Sequence, residues 1–345
     1  MLGPLLFLIL MGDIDHGIGE THLSSFADDT NLSRAVHNKE DIEIFQGDLD
    51  RVYSWAQENN MTFNADKFEL LRCGQNHILK DTTELVTENG QKITTKTHVK
   101  CLGVYLSEDA TFDHHITATV RRARGMAGWI LRTFNTRAKE PMLTLWRSLV
   151  QPILDYCSQL WSPLKKKNIQ QDLESVQRSF TRNICGMRDL SYWERLKAFG
   201  MYSQQRRRDR YCAIYIWKIM EKQVPDPTNC EIKVRPNNRT GRKCERRSLP
   251  STAPQRVRSL LAAASLGHNG PKLFNSLPKE VREITGCQAE RFKSALDRFL
   301  STLPDEPPVP GYTSRCRATS NALPDQVNLV LGYTRDGYSG GAPRL

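Results

Sequence analysis

Two adjacent carboxylates are the sharpest chemical signal in this chain. Phe26-Ala27-Asp28-Asp29 is followed by Thr30-Asn31-Leu32, and His22–Asn31 reads as two short strands meeting at an acidic turn. Carboxylates side by side at a tight turn can project towards one point, where a hard divalent cation accepts oxygen ligands. In two-metal phosphoryl or nucleotidyl transfer, ions about 3.5–4 Å apart activate the attacking oxygen and stabilise the leaving one. An Asp-Asp pair on its own is weak evidence and far more often a solvated turn, so its meaning rests on its surroundings.

The other candidates are basic. Arg121, Arg122 and Arg124 lie on one helical stretch, and Arg206, Arg207, Arg208 and Arg210 on another; both sets can neutralise phosphates. A second basic cluster, Arg239, Arg242, Lys243, Arg246 and Arg247, suits either RNA phosphates or a nuclear address. A solvated helix face or loop is the alternative for all of them. Trp129, Trp146, Trp161, Trp193 and Trp217 stand among these cations and could stack bases. On helices, core positions are the favoured reading. His114-His115 shows no ligand spacing with cysteine, so no structural zinc is expected.

Charge is unevenly divided along the 345 residues. Residues 1–110 carry 9 Lys/Arg against 18 Asp/Glu, whereas 111–345 carry 40 against 20. An acidic front and a basic back suit a metal-using site beside a polyanion-binding surface, or simply an acidic domain joined to a basic one. With 39% hydrophobic residues there is material for a real core, and wholesale disorder is excluded. Nine dispersed cysteines without a Cys-x-x-Cys pair read as reduced thiols with no disulfide partner, in the cytoplasm or nucleus. The apolar run Pro4–Met11 is far short of the roughly 20 residues that span a bilayer. It lacks a basic flank and is followed by Asp13 and Asp15, so neither a membrane anchor nor secretion is expected.

The elements that must position these residues follow from periodicity. Leu5–Leu10 fits a buried strand or helix end. Ile42, Phe45, Leu49, Val52 and Trp55 recur at steps of three and four, an amphipathic helix over Lys39–Trp55 ended by Asn59-Asn60. Met61–Asn64, Glu69–Cys73, Lys92–Thr95 and Lys100–Leu106 look like strands of a small sheet. Ile116, Val120, Ala123, Ala127, Ile130 and Phe134 form the stripe of a further helix, with Arg121, Arg122, Arg124 and Arg132 projecting elsewhere. Helices are also expected over Pro141–Leu154, Lys167–Ile184, Ser203–Lys222 and Phe292–Leu300.

In order and spacing, a longer series of motifs resembles the reverse transcriptase of non-long-terminal-repeat retrotransposons, the jockey and chicken-repeat-like group in particular. It runs through Gly3-Pro4-Leu5-Leu6-Phe7, Phe26-Ala27-Asp28-Asp29, Phe63-Asn64-Ala65-Asp66-Lys67 and Leu102-Gly103-Val104. It continues with Ser148-Leu149-Val150-Gln151-Pro152, Asp155-Tyr156-Cys157, Trp161-Ser162-Pro163, Leu173-Glu174-Ser175-Val176-Gln177-Arg178 and Arg188-Asp189-Leu190-Ser191-Tyr192. Gly270-Pro271-Lys272-Leu273-Phe274-Asn275-Ser276-Leu277-Pro278 belongs to the same pattern, so the likeness covers roughly residues 1–306.

That resemblance implies an RNA-directed DNA polymerase working on an RNA template and a DNA primer with Mg²⁺. It makes Asp28 and Asp29 metal ligands and catalytic, places Lys67 near the incoming triphosphate as a proton donor, and assigns Leu102-Gly103-Val104 to the grip on the primer end. A surface lysine and a plain hairpin are the alternatives for the last two. The expected fold is α+β: a partial right-hand polymerase palm, an antiparallel sheet with a helix, followed by a mostly helical thumb and C-terminal region. The expected parts are 1–110 as palm, 111–224 as helical thumb and connection, 225–256 as basic loop or linker, 257–303 as helical segment and 304–345 as a disordered tail. In the family the fingers and a further catalytic aspartate strand lie upstream of the Gly3-Pro4 segment. Without that third carboxylate Mg²⁺ is expected to bind weakly, and autonomous polymerisation is not expected. A non-catalytic RNA- or DNA-binding protein built on the basic half is the competing reading.

Overall fold

The structure, a computed structural model, describes residues 2–64, 67–74, 79, 83–162, 167–225, 265–306 and 321–331. Two units divide the chain, Met1–Thr111 and Phe112–Leu345.

The first unit is built around one long helix. Helix α1, Gly3–Leu10, begins with proline in its first turn, where the missing N–H costs nothing. Strands β1 (His22–Phe26) and β2 (Asp29–Ser33) form an antiparallel hairpin. Helix α2, Lys39–Glu58, starts on a capping box: Asn38 accepts from the Asp41 N–H, and the Asp41 carboxylate accepts from the Asn38 N–H. Its buried residues serve two small cores. Val52, Trp55 and Ala56 pack with Met11 and Ile14, while Leu49 and Tyr53 pack with Leu85 and Ile93.

The expected single antiparallel sheet is replaced by three separate two-stranded ladders among the described residues. β3 (Glu69–Leu71) pairs in parallel with β4 (Thr94–Lys96), and β5 (His98–Cys101) pairs antiparallel with β6 (Val104–Ser107). Met61–Asn64 is irregular, not a strand. Nor is α1 a buried element: it has no buried residue, and Leu5, Leu6, Leu8 and Ile9 are all more than half exposed.

The second unit is helical. Helix α3, Asp113–Thr133, lays Ile116, Val120, Ala123, Ala127 and Ile130 into a core shared with Met142, Trp146, Trp161, Leu173 and Phe180. Residues 139–155 form α4 (Lys139–Leu145), a π-helical turn at Trp146–Val150 and α5 (Gln151–Asp155). Pro152 accounts for the widened turn, because proline lacks the N–H and its ring crowds the carbonyl four residues back. Helices α6 (Ser158–Trp161), α7 (Lys167–Arg182) and α8 (Tyr192–Phe199) follow.

Helix α9, Gln204–Met220, faces a second core with α10 (Leu266–Asn275), α11 (Lys279–Arg282) and α12 (Ala289–Leu300). There the Trp217 ring stacks on Phe292 at 4.8 Å, and its indole N–H donates to the Ile284 carbonyl at 2.7 Å. The region expected as a tail contains one more helix, α13 (Leu323–Leu331). Leu323 and Val327, one turn apart, are buried in that same core, so apolar spacing overrides the Pro/Gly-rich composition around it. The basic cluster at 239–247 and most of the 225–256 loop lie outside the described residues.

Candidate functional site

The acidic pair sits at the tip of the β1–β2 hairpin. The register pairs Phe26 with Asp29 and leaves Ala27-Asp28 as a two-residue loop. Ala27 takes φ 53°, so the loop has the φ pattern of a type II′ turn, whose twist matches the flanking strands. Leu23 and Leu32, paired across the strands, pack on the core of Met11, Ile14, Val52 and Trp55. That packing fixes the hairpin on α2. Asp28 and Asp29 are exposed, and Phe26 is 67% exposed.

Among the described residues, no three or more His, Cys, Asp or Glu side chains gather to hold an ion. Asp13 is engaged elsewhere, its carboxylate accepting from the Trp55 indole N–H at 2.8 Å. Two exposed carboxylates without a bridging third do not fit a two-metal centre, since Mg²⁺ demands near-octahedral ligation and sheds its waters reluctantly. Lys67 is exposed in the turn before β3, a different ladder from the one carrying the acidic pair, and its N–H donates to the Asn64 carbonyl at 3.0 Å.

Leu102 and Gly103 form the tip of the β5–β6 hairpin with φ of 45° and 85°. Both values are positive, the type I′ pattern that glycine and asparagine favour. A leucine held there is strained, at a cost on the order of 1 kcal/mol. Val104, the next residue, is buried and anchors the turn.

In the basic half, the two arginine sets part company. Arg206 and Arg208 are 0% and 2% exposed. The Arg206 guanidinium donates to the Pro304 carbonyl at 2.7 Å and lies 3.8 Å from Asp305. Arg208 donates to Gln205 at 3.1 Å, and the charges of Glu174 and Asp209 act on it. Arg207 pairs with Asp155 at 2.5 Å. Arg210 pairs with Asp297, also at 2.5 Å. Of the run read as a phosphate-binding face, Arg206 and Arg208 are buried in the scaffold, while Arg207 and Arg210 are partly exposed and ion-paired. The partners of Arg206, Arg207 and Arg210 lie far away in sequence, which is why a local reading takes the run for surface.

Burial pushes the Asp209 carboxyl up to about 6, against hydrogen bonds from Leu323 and Gln205 and the charge of Arg208. Glu174 is likewise raised by burial, although Tyr192 donates to it at 2.5 Å.

Arg121, Arg122 and Arg124, by contrast, are exposed on α3. Arg124 reaches Ser175 at 2.7 Å and Asp172 at 3.3 Å, an exposed contact worth little energetically. Trp146, Trp161 and Trp217 are core residues as expected. Trp129 is not: it is 46% exposed on the same helix as the arginines. The helical spacing carries that signal, since Trp129 falls two turns beyond Arg121, off the apolar stripe.

Comparison with known proteins agrees with the motif series. The chain is similar to the RNA-directed DNA polymerase from mobile element jockey of Drosophila funebris, 26% identical over 197 residues, 54% of this chain and 21% of that protein. It is 24% identical over 199 residues to the corresponding protein of Drosophila melanogaster, again 54% of this chain and 21% of the relative. Over that stretch the chain is similar to the RNA-directed DNA polymerases of jockey mobile elements. The match spans about a fifth of each relative's length. No family model matches the sequence, and no solved structure matches it.

Proposed function

We propose that these residues are the later palm segment and the following helical region of a retrotransposon RNA-directed DNA polymerase. They hold template and primer but do not polymerise unaided. The observation that carries this reading is the similarity to jockey polymerases, taken together with the acidic pair on a two-residue hairpin. Asp28 and Asp29 belong to the catalytic centre of the assembled enzyme, Lys67 to its nucleotide side, and Leu102-Gly103-Val104 to the primer grip. Among the described residues, the pair lacks the further ligands that would make Mg²⁺ binding tight.

Binding can outlive catalysis, because phosphate neutralisation needs only positioned positive charge. The test is equilibrium binding of the full chain to an RNA–DNA primer-template across a salt series. Affinity falls steeply with salt, and Asp28→Asn leaves the slope unchanged. A slope near zero, or equal loss in Asp28→Asn, overturns the reading.

A further inference from the structure

The outer face of α3 combines cations, small residues and an exposed aromatic ring. At 100° per residue, Arg121, Arg132, Gly125, Trp129 and Arg122 fall within an arc of about 100° opposite the buried stripe. Arg121, Arg122, Trp129 and Arg132 are all exposed. The helix carries four arginines against a single acid, Asp113.

Two glycines shape the face. A Cβ on Gly125 would meet nothing within 4 Å, so the surface between Arg121 and Trp129 is open and low. A Cβ on Gly128 would lie 3.2 Å from Arg132 Nη1, so that guanidinium folds back over the helix, one residue from the tryptophan. The indole is steadied on one side by Phe134, edge-to-face at 6.0 Å between centroids. A half-exposed tryptophan braced by an aromatic edge and bracketed by guanidinium groups is a stacking platform for a base, with cations placed for the flanking phosphates.

We propose that a single-stranded nucleic acid lies along this face, with one base on Trp129 and phosphates at Arg121, Arg122 and Arg132. Charge favours this occupant over a protein surface: residues 111–345 hold 40 Lys/Arg against 20 Asp/Glu. The proposal rests on the nucleic-acid-holding part of the function proposed above and says which surface performs it.

The test uses the full chain and a fluorescein-labelled oligo(U) in a salt series. Trp129→Ala weakens binding about tenfold at every salt concentration with the slope unchanged, because the stacking platform is removed and every cation stays. Trp129→Phe retains most of the affinity. Arg121→Gln, Arg122→Gln and Arg132→Gln combined flatten the log–log slope by about 2, near 0.7 for each phosphate no longer neutralised. Wild-type affinity and slope in both the alanine and the triple variant overturn this surface while leaving nucleic-acid binding intact. No salt-dependent binding by the wild-type chain removes the functional reading as well. Equal weakening of duplex and oligo(U) binding in Trp129→Ala contradicts stacking on a single strand.

Discussion

Arg210 and Asp297, 87 residues apart in the sequence, meet in a two-point ion pair with N–O distances of 2.5 and 2.7 Å. The pair ties α9 to α12 across the edge of the second core. Its neighbours on α9 make similar links: buried Arg206 reaches towards Asp305, and partly exposed Arg207 holds Asp155. A cluster of arginines that resembles a nucleic-acid-binding face is therefore part of what makes the helical unit cohere.

Charge reversal should separate the scaffold from the surface. Arg206→Glu lowers unfolding stability by about 3–5 kcal/mol, the usual cost of breaking a buried charged pair. Arg210→Ala costs only about 1 kcal/mol, because that pair is partly solvated. Arg121→Glu changes stability by less than about 0.5 kcal/mol, as exposed substitutions do. Urea melts followed by circular dichroism give all three values. An Arg206→Glu protein as stable as wild type would return that residue to the surface.

Buried Asp209 should leave a mark on the pH dependence of stability. Its folded-state value of about 6 lies above the ordinary 3.8. The raised value means that folding favours the protonated form. Its contribution is full below about pH 4 and fades as pH rises through about 6. The stability difference between wild type and Asp209→Asn should therefore favour wild type more at pH 4 than at pH 7. A difference that is flat across that window contradicts the assignment.

Gly270 sits where α10 meets α9. A Cβ there would lie 2.5 and 2.8 Å from the Ile216 side chain, itself only 1% exposed. Gly270→Ala is therefore expected to cost about 1–3 kcal/mol by overpacking. Ile216→Ala in the same chain should make the added methyl far less costly. Thermal melts of the single and double variants settle it, and additive destabilisation would rule out the clash.

Helix α1 predicts the solution behaviour. Leu5, Leu6, Leu8 and Ile9 are 54–68% exposed in one short segment, a patch that promotes association. The wild-type chain should elute partly as oligomers on size-exclusion chromatography. Leu5→Ser with Leu8→Ser and Ile9→Ser should shift it towards monomer without lowering the melting temperature. A wild-type chain that is wholly monomeric would count against this.

Much of this architecture is legible in the sequence where periodicity and caps agree. The stripe from Ile42 to Trp55 marks α2, which runs to Glu58, and the stripe from Ile116 to Ile130 marks α3. The acidic hairpin is readable because the strands and turn are local. Pairings between distant segments are not: the parallel β3–β4 ladder joins residues 25 apart, for example Glu69 with Thr94. The same blindness puts Arg206 and Arg208 on the surface, although their partners include Pro304 and Glu174. Trp129 departs from its expected core position for another reason. Burial follows the face of the helix, and residue type alone does not report that face.

The proposed function is to hold nucleic acid on a scaffold similar to that of jockey polymerases, without a complete metal site among the described residues. Primer extension on an RNA template with Mg²⁺ and deoxynucleotides, run on a sample shown to bind the same primer-template, tests it most directly. The expected result is salt-dependent binding and no extension above background. Extension that disappears in Asp28→Ala would contradict the claim, because Asp28 and Asp29 would then be working in a complete metal site.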